Sequence, residues 1–213
     1  MGKLTEVKDS LYEQFCPLTT VAGQHFVEWF SGADIENASY PKRWTESNTN
    51  GAGTFAMSSS VDGGFEITTG SGGNNTYQNL TFNDIHQFSS TASGFIVVSK
   101  VSSVASTKYY MGLENNSYYT VSFNGNEAYY RTGTRESSTG SSQTATGVAS
   151  DNAWHVHKLT TDGTTVKHWI DGVQYTTTSN VPTGTQANFQ PFIQVYGNAS
   201  KTASIRYFEA WNS

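Results

Sequence analysis

WHVHKLTTDGTTVKHWIDG, residues 154–172, is the stretch whose reading decides the fold. Two β-rich runs flank Asp162-Gly163, a pair suited to a two-residue hairpin because both central positions of a type I′ turn need positive φ. Pairing outward from that turn sets Thr161 against Thr164, Leu159 against Val166, His157 against His168 and His155 against Ile170, all on one face. The other face collects Trp154, Val156, Lys158, Lys167, Trp169 and Asp171. Leu159, Val166 and Ile170 are the most apolar of these positions, so their face is expected to be core. Trp169 and the two lysines then point outward, and Trp169 becomes a candidate ligand platform.

Outside this hairpin the period-two pattern recurs at 25–30, 65–68, 94–101, 107–114, 117–123, 127–131, 191–196 and 202–211, between Gly/Ser/Asn turns. Residues 132–150 are poor in apolar groups and read as a long exposed loop. The chain of 213 residues is expected to form one all-β domain, a two-sheet antiparallel jelly-roll sandwich over 23–213 with the last strand beside the first. Residues 1–22 stand apart as an arm or short helix, with Leu4, Val7, Leu11 and Phe15 at helical spacing.

Trp154-His155, the Asp162-Gly163 turn and Trp169-Ile170-Asp171-Gly172 together resemble the hairpin of laminin-G-like and concanavalin A-like lectin/glucanase domains. His25 to Gly32 is similar to the opening strand of that superfamily, and Ser204 to Trp211 to its closing strand. The resemblance implies a jelly roll that binds or cleaves carbohydrate. Its glycosidases carry a Glu-x-Asp-x-x-Glu run on one strand, supplying two carboxylates about 5 to 9 Å apart across the scissile bond. This chain has no such run; Asp34 with Glu36 and Asp62 with Glu66 are the nearest approximations, which places it in the non-catalytic branch. A polysaccharide lyase of similar shape would want a Tyr/His acid–base pair and an Arg or Gln facing a uronate carboxylate, with His157, His168, Arg131, Gln194 and Tyr196 as candidates.

A second meander at 107–131 has Asn115-Asn116 and Asn124-Gly125 as its expected turns. That register puts Tyr110, Gly112, Tyr119, Val121, Phe123, Ala128 and Tyr130 on a core face. Tyr109, Met111, Leu113, Tyr118, Glu127, Tyr129 and Arg131 fall on the other. Flat rings beside charged and hydroxyl groups suit a sugar, so Tyr109, Tyr118, Glu127, Tyr129, Arg131 and Trp169 form the expected glycan platform, with ordinary cross-strand aromatic pairing as the competing reading. His155, His157 and His168 share a face on which zinc is conceivable, but paired buried histidines more commonly hydrogen-bond to each other. No cofactor is expected; calcium, which superfamily members hold through loop carboxylates, would fall to Asp34, Asp62 or Asp151.

A formal net charge of −5 without a basic block argues against a nucleic-acid partner. No apolar run reaches the roughly 18 residues that span a bilayer, and the charged first twenty positions do not read as a signal peptide. Cys16 stands alone, so no intrachain disulfide forms. These features lead to the expectation of a non-enzymatic surface module: a binder of polysaccharide or cell-surface glycan, or a coat, decoration or fibre component of a virus particle. It would work outside the cell or on a virion, docked to neighbouring subunits through its N-terminal arm, with a homo-oligomer compatible with that arrangement. A carbohydrate-active enzyme of the same fold is the alternative.

Overall fold

The computed structural model describes residues 25–30, 44–49, 53–58, 64–70, 77–82, 88–102, 107–115, 119–126, 129–137, 139–183, 188–197 and 201–212. The arm at 1–22, together with Cys16, Asp34, Asp62, Tyr118 and Glu127, lies outside them.

The described residues form fifteen strands and no helix. In chain order these are β1 (His25–Trp29), β2 (Thr45–Thr49), β3 (Thr54–Met57), β4 (Phe65–Thr68), β5 (Tyr77–Thr81), β6 (Ser93–Val101), β7 (Thr107–Asn115) and β8 (Tyr119–Asn126). They continue as β9 (Tyr129–Arg135), β10 (Ser141–Ala149), β11 (His155–Thr161), β12 (Val166–Ile170), β13 (Val173–Thr177), β14 (Gln190–Gly197) and β15 (Thr202–Asn212). Sheet I has eight strands in the order β13-β12-β11-β6-β15-β4-β3, with β1 also on β15; sheet II has seven, β10-β9-β8-β7-β14-β5-β2. All pairings are antiparallel, and the last strand lies beside the first: His25 pairs with Trp211 and Trp29 with Tyr207.

The core lies between the sheets. Phe65, Ile67, Phe95, Val97, Leu159, Val166, Ile205 and Phe208 of sheet I face Leu80, Met111, Leu113, Ile193 and Val195 of sheet II, all 3 % exposed or less. At one end Trp44 packs edge-on against Phe26, Phe82 and Phe208, with centroids 5.5 to 5.9 Å apart, a preferred aromatic geometry. Each such side chain contributes about 1.5 to 3 kcal/mol on burial, which makes this layer the main source of stability.

The decisive hairpin keeps the expected faces but not the expected register. His157 pairs with Ile170, Leu159 with His168 and Thr161 with Val166, so the loop holds four residues, Asp162 to Thr165. Asp162 is the reason. Its Oδ1 accepts hydrogen bonds from the Thr164 and Thr165 N–H groups at 2.9 and 2.7 Å and from the Thr164 hydroxyl at 2.7 Å, a side-chain cap that outcompetes the tight turn. Slipping by two residues preserves the pleat, so Leu159, Val166 and Ile170 still face the core and Lys158, Lys167 and Trp169 still face out. The two-residue type I′ turn occurs one hairpin later. Asp171 (φ 49°) and Gly172 (φ 88°) join Ile170 to its partner Val173.

The second meander departs further. Asn115 pairs with Tyr119 across a three-residue connection, and Asn124-Gly125 lies inside β8, which runs on to Asn126, paired with Tyr129 of β9. An odd-length connection reverses the face assignment of β7. Tyr109, Met111 and Leu113 are core at 2 % exposure or less, while Tyr110 and Glu114 are half-buried on the outer face beside Gly112. Met111 and Leu113 offer far more apolar surface than Gly112, so burial decides the orientation. Residues 132–150 are likewise not a loop: β9 extends through Arg135, and β10 pairs with it from Ser141↔Arg135 to Ala149↔Tyr129. As an edge strand, SSQTATGVA buries no full face and therefore shows no apolar alternation.

Candidate functional site

Strands β5, β14, β7, β8, β9 and β10 turn one face away from the core, and there the polar and aromatic groups gather. Register places Asn79, Gln194, Tyr110, Asn124, Arg131 and Ala145 in one row across the sheet. The adjacent row holds Thr81, Phe192, Gly112, Ser122, Gly133 and Gln143. Tyr110 and Tyr196 meet edge-to-face at 5.8 Å. The Gln143 side-chain amide donates to the Tyr110 hydroxyl at 3.4 Å. Gly112 leaves the middle of this face without a side chain, and Phe192 beside it is only 4 % exposed.

Among the described residues, this face holds buried polar atoms that lack partners. Arg131 Nε and Asn79 Oδ1 are buried and make no hydrogen bond. A buried orphan of this kind costs about 1 to 3 kcal/mol, and its retention asks for an explanation such as a role toward a ligand.

The expected glycan platform is divided by the structure. Arg131 lies in the row just described, and Tyr129, 43 % exposed, sits at its rim on the same side of β9. Tyr109 does not belong: it is core, and burial followed by the nearness of Tyr130 pushes its hydroxyl well above the ordinary tyrosine range. Trp169 is outward but on the opposite face of the sandwich, in sheet I, with the Lys158 ammonium 5.3 Å from its ring. The register expected from the Asn115-Asn116 turn puts Tyr110 in the core, whereas the structure brings it to this outer face. Gln194 and Tyr196, weighed for a lyase, do reach this face together with Arg131, whereas His157 and His168 lie inside the sandwich.

The histidines form a separate assembly at the β13 end of sheet I. His157 Nδ1 is 3.1 Å from His168 Nε2, and His168 Nδ1 is 3.0 Å from the Thr132 hydroxyl, a buried chain linking the two sheets. Burial forces both rings toward neutrality, His157 well below the ordinary range and His168 down to about 3. His155 sits at the margin instead, between Asp171 at 2.6 Å and Asp151 at 2.9 Å. A three-histidine zinc arrangement is therefore not formed, and Asp151, one of the calcium candidates, is engaged with His155. Among the described residues no cluster of three His, Cys, Asp or Glu is placed to hold a metal.

No family model and no curated protein matches this sequence. Solved structures do. A protein of unknown function from Shewanella oneidensis MR-1 superposes with a TM-score of 0.63 at 15 % identity, covering 100 % of this chain and 96 % of that one. A beta-1,3-glucanase from Mycobacterium marinum gives 0.62 at 14 % identity over 91 % and 100 % of the two chains. The chain has the concanavalin A-like jelly-roll fold. An alginate lyase, A1-II', is similar to this jelly roll at a TM-score of 0.56 and 9 % identity, over 74 % of this chain and 83 % of its own. At these identities the likeness speaks for the jelly-roll architecture alone.

Proposed function

We propose that this protein recognises a polysaccharide laid across the outer face of sheet II. Tyr110 and Tyr196 offer rings to the apolar faces of the sugars, while Gln194, Asn79, Gln143 and Arg131 offer hydrogen bonds to hydroxyl or acidic substituents. The observation that carries the reading is the row in which the orphaned Arg131 Nε and Asn79 Oδ1 lie on either side of Tyr110, whose ring meets that of Tyr196 from the next row. Similarity of fold to a beta-1,3-glucanase and an alginate lyase supports a carbohydrate ligand. Such a ligand would be met outside the cell.

Affinity electrophoresis against a panel of neutral glucans and uronate polymers tests this. At least one polymer should retard the protein, and Tyr110→Ala or Tyr196→Ala should weaken retention by about tenfold or more, the usual loss for a central aromatic contact. Unchanged retention in both variants would overturn the site.

A second reading, cleavage of the bound polymer, is favoured by those same neighbours. Among the described residues this face carries no pair of carboxylates spaced for hydrolysis, so the elimination route, with a tyrosine hydroxyl as proton carrier and Arg131 opposite a carboxylate, is the form it would take. Release of unsaturated sugar ends from a uronate polymer separates cleavage from retention. The virion role expected from sequence draws no support from these neighbours and forms no part of the proposal.

A further inference from the structure

We propose that protonated His155 is a latch fastening the loop after β10 to the β12–β13 hairpin, released as pH rises through the titration of its imidazole. The ring is placed so that both nitrogens face carboxylates: Nδ1 lies 2.6 Å from Asp171 Oδ2 and Nε2 lies 2.9 Å from Asp151 Oδ1. Only the imidazolium donates on both sides. A neutral ring keeps one N–H and turns a lone pair toward the other carboxylate, so losing one proton removes one of the two bonds and makes its contact repulsive.

The geometry also says which side lets go. Asp171 is fixed by more than His155: its Oδ1 accepts from the Val156 N–H at 2.9 Å, and its own N–H donates to the Val156 carbonyl at 3.0 Å. Asp151 has less. Its carboxylate otherwise accepts from Ala153 N–H at 2.7 Å, within its own loop, and its backbone is bonded to the Tyr130 hydroxyl. The neutral ring therefore stays on Asp171, at the shorter contact, and Asp151 is released.

The groups facing His155 from each packed element leave it little choice of charge. Tyr130 of β9 is 5.1 Å away ring to ring, and His157 of its own strand 6.1 Å; Tyr109 of β7 lies behind Tyr130. Burial holds Tyr130 neutral, with its hydroxyl pushed up to about 12, and likewise keeps His157 neutral. Among the described residues, the charges acting on the ring are thus the two carboxylates. Burial of His155 opposes protonation, but the bonds to Asp151 and Asp171 outweigh it and raise the ring above the ordinary histidine range. A raised value means the latch is complete below about pH 6.5 and is lost as pH climbs through the folded-state titration. Asp151, held below its usual range chiefly by the bond from His155, keeps the latch closed well into mild acid.

The loop at 150–154 carries the end of edge strand β10, whose last pair, Ala149 with Tyr129, follows the irregularity at Gly147 (φ 80°). Release therefore loosens the border of sheet II near Tyr129.

The test is amide hydrogen exchange of the full-length protein across the titration of His155, with the ring followed by NMR. His155 should titrate above the ordinary range, and amides at 148–153 should lose about tenfold in protection, corrected for intrinsic rates, as it does so. Asp151→Asn should move the titration of His155 down, and the exchange step with it. His155→Gln should leave those amides fast at every pH with no step. The latch is overturned by a ring that titrates at or below the usual histidine value, by protection that stays constant through the titration, or by a step that persists unchanged in Asp151→Asn.

Discussion

At Asp162, a single carboxylate oxygen accepts three hydrogen bonds from Thr164 and Thr165 and thereby selects a four-residue loop over a two-residue one. Asp171-Gly172 is the same dipeptide with the opposite outcome, because Asp171 spends its side chain on His155 and Val156 and its own φ is positive. The sequence shows two identical turn signals, and what separates them is the partner each aspartate finds in space. Asp162→Ala should cost about 1 kcal/mol, read as a lower urea midpoint with an unchanged slope. Glycines give a matching contrast. A methyl group at Gly172 would meet nothing within 4 Å, so Gly172→Ala pays only for the backbone at φ 88°, about 1 kcal/mol. At Gly94 the added carbon would fall 2.5 Å from the Trp211 ring. Gly94→Ala should therefore displace Trp211 from Ile96 and Tyr207, its neighbours in the small apolar cluster outside sheet I, and cost about 1 to 3 kcal/mol with a shifted tryptophan fluorescence.

Among the elements, the strands legible in the sequence are those with a buried face: β6, β11, β12, β14 and β15 carry runs such as SGFIVVSKV and QPFIQVYG. The ones passed over, β2, β3, β5, β10 and β13, are short or rich in Ser, Thr, Asn and Gln; four of them end a strand order and the fifth, β5, lies next to β2 at such an end. Edge strands are held by a neighbour's backbone rather than by their own side chains, so alternation has little to report. The same limit explains the candidate site. Arg131, Gln194 and Tyr196 were visible as residue types, but the inversion of β7 hid Tyr110 and promoted Tyr109. These two tyrosines make the register testable. Tyr109→Ala should destabilise by about 3 kcal/mol or more in chemical denaturation, as truncating a buried ring does, whereas Tyr110→Ala should leave the midpoint nearly unchanged while weakening polysaccharide retention.

For the whole molecule, the buried His157–His168–Thr132 chain ties stability to pH. Both rings are held neutral by burial, His168 down to about 3, so the unfolded chain takes up protons that the fold refuses. Their contribution is complete above about pH 6.5 and declines as pH falls, at up to about 1.4 kcal/mol per pH unit for each ring, until the medium nears the folded value. His155 works in the opposite sense, losing its contribution at higher pH. Urea midpoints should thus drop steeply between about pH 6.5 and about pH 4, and a flat profile there would show the rings to be solvated. A different consequence follows from β15. It is the last of the fifteen strands, yet it fills the interior of sheet I, pairing with β6 along one side and with β4 and β1 along the other. While a ribosome is still making residues 202–212, the nascent chain has a gap where its two halves must join, and β1 has no partner at all. Chaperone capture should be strongest before β15 emerges and fall once residues 202–212 have left the ribosome.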